Sequence, residues 1–125
     1  MPRVLVVDDL IFMRMMLKEI LDQHGWELAG EARNGREAVT QYEALQPDLV
    51  LLDITMPHLD GIGALKEILA IDPKARVVMC SAISEQRMIV KAVQLGAKDY
   101  VVKPFRPERV VSALTKALGP AARAV

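Results

Sequence analysis

The sequence predicts an α/β fold: a doubly wound parallel sheet of five strands with five helices. Three observations lead there. Short runs rich in Val, Leu and Ile alternate five times with longer segments of helical periodicity. The runs are nearly all apolar, as strands covered on both faces must be. Each intervening segment is long enough for the crossover that parallel neighbours require.

Residues 3–7 form the first buried strand, bounded by Asp8-Asp9. Met13, Met16, Leu17, Ile20 and Leu21 then mark a helix face, with Arg14, Lys18, Glu19, Asp22 and Gln23 between them and Gly25 as the stop. Residues 27–32 are a more polar strand, suited to a sheet edge. Asn34 and Glu37 have the spacing of a capping box, and Ala38, Val39, Tyr42 and Leu45 give the second helix, ended by Gln46-Pro47. Residues 49–52 are the third strand, closed by Asp53. Asp60 is placed to cap a third helix carrying Ala64, Leu65, Ile68 and Leu69, which ends before Asp72-Pro73. Residues 76–80 form the fourth strand, and Ser84 is placed to cap a fourth helix over 85–95, stopped by Gly96. Residues 98–102 form the fifth strand. Pro107 opens a fifth helix carrying Val110, Val111, Leu114, Ala117 and Leu118, stopped by Gly119-Pro120.

Composition narrows the function. With 125 residues the chain reads as one domain, and 52% hydrophobic residues with a net charge of +0 are the reverse of a disordered signature. No run of Lys and Arg supplies a nucleic-acid footprint. One Cys forms neither an internal disulfide nor a Cys-rich zinc site. The apolar start is broken by Asp8-Asp9 before it reaches signal-peptide length, and no stretch approaches a membrane span. A soluble cytoplasmic protein, without nucleic-acid or membrane partners, is expected.

The strand ends carry the chemistry. The first strand ends in Asp8-Asp9, the third in Asp53 and the fourth in Ser81, and Lys103-Pro104 follows the fifth. In an open α/β sheet these carboxyl ends line the crevice where ligands bind. Taken singly, an Asp there is commonly a turn or cap residue, Ser81 a turn residue and Lys103 a solvated charge. Their joint occurrence at four strand ends points to a site. Converging carboxylates raise one another's pKa, which a divalent cation with hard oxygen ligands relieves; Mg²⁺ suits this set. Lys103 and the Ser81 hydroxyl would meet phosphoryl oxygens, and a carboxylate would be the nucleophile.

The chain resembles the receiver domains of two-component response regulators. The resemblance lies in residues 4–9 with Met13-Arg14, in Leu52-Asp53-Ile54-Thr55-Met56-Pro57, in Asp60-Gly61, in Cys80-Ser81-Ala82, and in the run from Gly96-Ala97-Lys98-Asp99-Tyr100 through Val101-Val102-Lys103-Pro104-Phe105. It covers essentially the whole chain, with a receiver domain over 1–120 and a short tail over 121–125, and it is nearest to the stand-alone chemotaxis regulators. It implies a flavodoxin-like sheet of order 2-1-3-4-5. It implies that Asp53 accepts a phosphoryl group from a histidine kinase, that Asp8, Asp9 and Asp53 with the Thr55 carbonyl hold Mg²⁺, and that Ser81 and Lys103 bind phosphoryl oxygens. It further implies a cis peptide at Pro104, Tyr100 as a switch aromatic, and Thr55 and Ile83 as residues that tune dephosphorylation. The domain would be a regulatory phosphoacceptor, catalysing only its own phosphorylation and slow hydrolysis. Its partners would be a CheA-like kinase, a FliM-like flagellar motor switch protein and a phosphatase, and a monomer is expected. A phosphorelay intermediate, a receiver fragment of a longer regulator and a metal-dependent hydrolase are the competing readings. The tail is too short for an output domain, and the chain has no room for a substrate cap.

Other residues are expected to do less. Cys80 reads as a packed thiol, Trp26 as structural, and Met13 and Met16 as core, with Met15 off the apolar face as a contact. His24 and His58 lack partners at metal-ligand spacing, and Gly61-Ile62-Gly63 is no dinucleotide fingerprint.

Overall fold

Continuous apolar runs become strands here because each strand feeds two separate cores. Side chains alternate across a sheet, so odd and even positions part company. Leu5, Val7, Val50, Leu52, Val77 and Met79 join one core with residues of the second, third and fourth helices. Val4, Val6, Leu49, Leu51, Val78, Cys80 and Val101 join the other, with residues of the first and fifth helices. A computed structural model describes residues 2–119 of the chain. Its strands are β1 (Arg3–Val7), β2 (Glu27–Ala32), β3 (Leu49–Asp53), β4 (Val77–Ser81) and β5 (Asp99–Val102). Its α-helices are α1 (Ile11–Gln23), α2 (Gly35–Leu45), α3 (Gly61–Ile71), α4 (Gln86–Leu95) and α5 (Pro107–Leu118). All strand pairs are parallel and the order is β2-β1-β3-β4-β5, the flavodoxin-like winding. The tail expected over 121–125 lies outside the described residues.

This order puts a switch point at the centre. The chain leaves β1 for β2 on one side and returns to place β3 on the other, so the crevice opens between the carboxyl ends of β1 and β3. Capping fixes where the helices start beside that crevice. Asn34 Oδ1 accepts from Glu37 N at 2.9 Å, and Asp60 Oδ1 accepts from Gly63 N at 2.8 Å. Two sequence expectations need correction. Ser84 does not cap α4: a 3₁₀ turn over Ile83–Glu85 precedes the helix, and the Glu85 carboxylate reaches back to accept from Ala82 N at 2.7 Å. Arg14 is not on the solvated face of α1 but is 8% exposed. A partner inside makes its burial tolerable, as described below.

One glycine fixes the loop between β3 and α3. Gly61 N donates to Ile54 O at 2.7 Å, closing the turn between β3 and α3. A Cβ on Gly61 would strike the Asp53 carbonyl oxygen and lie 2.7 Å from Ile54 Cα, and both are backbone atoms that cannot swing aside. Gly61→Ala is therefore expected to lower stability by about 2 kcal/mol, the scale of overpacking a tight site. Urea unfolding would read this as a lower midpoint at unchanged slope, and an unmoved midpoint would contradict it.

Candidate functional site

The crevice gathers residues from three strand ends and a loop. Asp8 follows β1 and Asp53 ends β3, and β1 and β3 are direct neighbours, with Val7 paired to Leu52. Both carboxylates are buried, Asp8 completely and Asp53 to 4% exposure, whereas Asp9 is exposed. One carboxylate oxygen from each of Asp8, Asp9 and Asp53 lies within 4.8 Å of the others. Lys103 reaches in from beyond β5, and its Nζ donates to Asp8 Oδ2 and Asp53 Oδ1, each at 3.2 Å. The backbone aims it there, since Lys103 N donates to Ser81 O at 2.8 Å. The Lys103–Pro104 peptide is cis.

These charges perturb one another. Burial, then the neighbouring Asp8 carboxylate, push Asp53 up to about 6, against the opposing pull of Lys103. Burial alone would lower the Lys103 pKa, but Asp53 and Asp8 outweigh it and the net direction is up. Lys103 therefore stays charged. The Ser81 side chain is fully buried at the end of β4, and among the described residues its Oγ is the one buried side-chain polar atom without a hydrogen-bond partner. An unpartnered buried hydroxyl is costly and rare, and a donor so placed fits an incoming oxyanion. The three carboxylates are hard oxygen donors that fit a divalent cation of the Mg²⁺ type. Together they offer an acidic nucleophile, a cation site, a fixed ammonium and a free hydroxyl.

The other predicted positions lie around the rim. Thr55 is exposed, two residues past Asp53, and its hydroxyl donates to the Glu85 carboxylate. Ile83 is 75% exposed, two residues past Ser81. Tyr100 does not enter the crevice. It sits on β5, 39% exposed, with the Arg109 guanidinium carbon 5.8 Å from its ring centroid. Cys80 is buried and burial pushes its thiol up, which makes it unreactive.

Sequence reasoning missed two residues. Arg14 Nη1 donates to the Asp8 backbone carbonyl at 2.7 Å and its Nε donates to Glu31 Oε1 at 3.0 Å. It thereby pins the turn that presents Asp8 and Asp9. The signal was available: Arg14 stands three and seven residues before Leu17 and Leu21, on the buried stripe itself. Glu85 ties Thr55 to Ala82 across the mouth of the crevice. Its only trace in the sequence is an acid three residues after Ala82, the capping-box interval without the usual hydroxyl.

The response regulator receiver domain family matches residues 4–115. The chemotaxis protein CheY of Thermotoga maritima is 59% identical over 114 residues, which are 91% of this chain and 95% of that protein. The CheY of Bacillus subtilis is 55% identical over 116 residues, 93% of this chain and 97% of that one. A crystal structure of a CheX–CheY–BeF3–Mg²⁺ complex from Borrelia burgdorferi superposes with a TM-score of 0.90 at 35% identity, covering 94% of this chain and 90% of the matched chain.

The raised Asp53 pKa has a consequence for stability. Its folded value lies above its unfolded one, so between about pH 4 and pH 6 the native chain holds more protons than the unfolded chain. Stability then falls as pH rises through that window. In EDTA at pH 7, Asp53→Asn is expected to be more stable than wild type by about 2 kcal/mol, and the difference should shrink towards pH 4. Urea midpoints at the two pH values test it; a gap that does not change with pH would refute the assignment.

Proposed function

This chain belongs to the response regulator receiver domain family, and we propose that it is a chemotaxis response regulator in which Asp53 accepts a phosphoryl group from a histidine kinase. The observation that carries this reading is the convergence of Asp8, Asp9 and Asp53 with Lys103 and the unpartnered Ser81 hydroxyl at the switch point of the sheet. An Asp53 carboxylate oxygen attacks phosphorus as the phosphorus–nitrogen bond to histidine breaks, and the imidazole leaves with its electron pair. Lys103 faces the peripheral oxygens as a fixed positive charge, and Ser81 Oγ donates to one of them. Asp8, Asp9 and Asp53, with the Thr55 carbonyl, are the residues that would hold Mg²⁺; the ion, when bound, offsets charge on the phosphoryl oxygens. The same residues leave the acyl phosphate open to slow hydrolysis.

On this reading a partner binds the domain's surface beside Tyr100. Tyr100 borders a groove of about 360 Å³ lined by Ala82, Ile83, Gln86, Ile89, Val90 and Val102. If the Ser81–Ala82 segment moves towards the phosphoryl group, the ring gains room to turn inward. The face beside it is apolar and exposed at Val90, Val93 and Leu95, and suits a FliM-like motor switch protein. The same site would receive a CheA-like kinase and a phosphatase.

A radiolabelled small-molecule phosphodonor with Mg²⁺ should label wild type and leave Asp53→Asn unlabelled, and a chelator should abolish labelling. The labelled form should be retained by a motor switch peptide that the unlabelled form does not bind. Equal labelling of wild type and Asp53→Asn would sink the acceptor assignment. Ile83 bears on lifetime: an exposed apolar side chain at the rim gives an attacking water nothing to bond to. Ile83→Glu is expected to hasten loss of label several-fold, and an unchanged decay would remove Ile83 from the mechanism.

A further inference from the structure

Glu85 occupies a position for which the chemistry above has no use. One carboxylate oxygen accepts from Ala82 N at 2.7 Å and the other accepts from the Thr55 hydroxyl. Thr55 is two residues past Asp53, and Ala82 directly follows Ser81. A single side chain thus bridges the two loops that flank the acceptor carboxylate. The contrast with Ser81 is informative: its hydroxyl is buried and unpartnered, whereas the next donor along the chain, the Ala82 amide, is already taken by an acid.

We infer that Glu85 is an internal brace that holds the β4–α4 loop in its unphosphorylated arrangement and must let go before the loop closes on a phosphoryl group. Two physical effects act together. An anion arriving on Asp53 needs donors, and Glu85 holds one of them, the amide beside Ser81. Glu85 also adds negative charge at a rim where Asp8, Asp9 and Asp53 already cluster. A brace that stabilises the open loop lowers the fraction of molecules ready to bind the phosphoryl form, and apparent affinity falls by that fraction. Glu85 is therefore a positioning residue of the switch, acting through Ala82 and Thr55 rather than on the reacting atoms. The inference rests on the phosphoacceptor reading above.

Beryllofluoride with Mg²⁺, a tetrahedral stand-in for the phosphoryl group, is the probe. Its dissociation constant would be measured on wild type, Glu85→Ala, Glu85→Gln and Thr55→Val, with Mg²⁺ alone titrated in parallel. Breaking hydrogen bonds to a charged group should tighten beryllofluoride binding by roughly three- to tenfold in Glu85→Ala, while Mg²⁺ alone binds no more tightly. Glu85→Gln keeps the shape of the brace and loses its charge, so it should fall between wild type and Glu85→Ala. Thr55→Val severs one half, and its effect should not add to that of Glu85→Ala in the double variant, since both remove one brace. Unchanged or weaker beryllofluoride binding in Glu85→Ala overturns the brace and leaves the acceptor reading standing. Failure of wild type to bind the probe at all overturns both.

Discussion

Two carboxylates buried on adjacent strands must have a cation between them, and Lys103 is that cation. Its Nζ stands 3.2 Å from an oxygen of Asp8 and 3.2 Å from one of Asp53. Removing two carboxylates from water is expensive, and the ammonium offsets part of that cost only because it is held in place. The hold is built into the fold. The Lys103 amide is bonded to the end of β4, and the two carboxylates are placed by the pairing of β1 with β3. Three distant stretches of chain are thus committed to one spot, and the sheet order is what brings them there.

Much of this was legible in the sequence, for a definite reason. Strands buried on both faces are apolar throughout, so the polar residues that end them stand out. Asp8, Asp53 and Ser81 could be read off as exceptions to a pattern, and the alternation of strands and helices told which edge they would share. What the pattern hid were residues whose polar side chains work within the fold. Arg14 looked like one more solvated charge on α1, because a buried guanidinium is uncommon and its partners, the Asp8 carbonyl and Glu31, come from other elements. Ser84 looked like the cap of α4 because Ser is a good cap, yet it falls inside a 3₁₀ turn and α4 begins without a side-chain cap. The Arg14 miss concerns contacts between segments, which local propensity does not encode.

On the proposed function, the site divides into parts that are held firmly and parts that would respond. Asp8, Asp53 and Lys103 are fixed by strand pairing, by Arg14 beneath the first turn and by the tight Gly61 turn beside β3. Ser81 and Ala82 lie where β4 gives way to a 3₁₀ turn, and no residue of that turn is buried. Short helices of this kind are weakly held. On the proposed function, a charge arriving at Asp53 would find its give in the β4–α4 loop, next to the groove that Tyr100 borders. The path from chemistry to surface is short: Ser81, Ala82 and Ile83 are consecutive, and the groove begins at Ala82.

A net charge of zero over the chain gives no hint of this, because the charges are segregated rather than absent. Within the cluster, three carboxylates set against one ammonium leave a formal excess of two negative charges. Lys103 alone does not balance it; burial first, and then the Asp8 carboxylate, push Asp53 up to about 6. A divalent cation would cancel the formal excess and would draw the Asp53 pKa back down. The charge crowding that makes the cluster a poor contributor to stability is also what would suit it, on the proposed function, to a doubly charged ion and an electrophilic phosphorus.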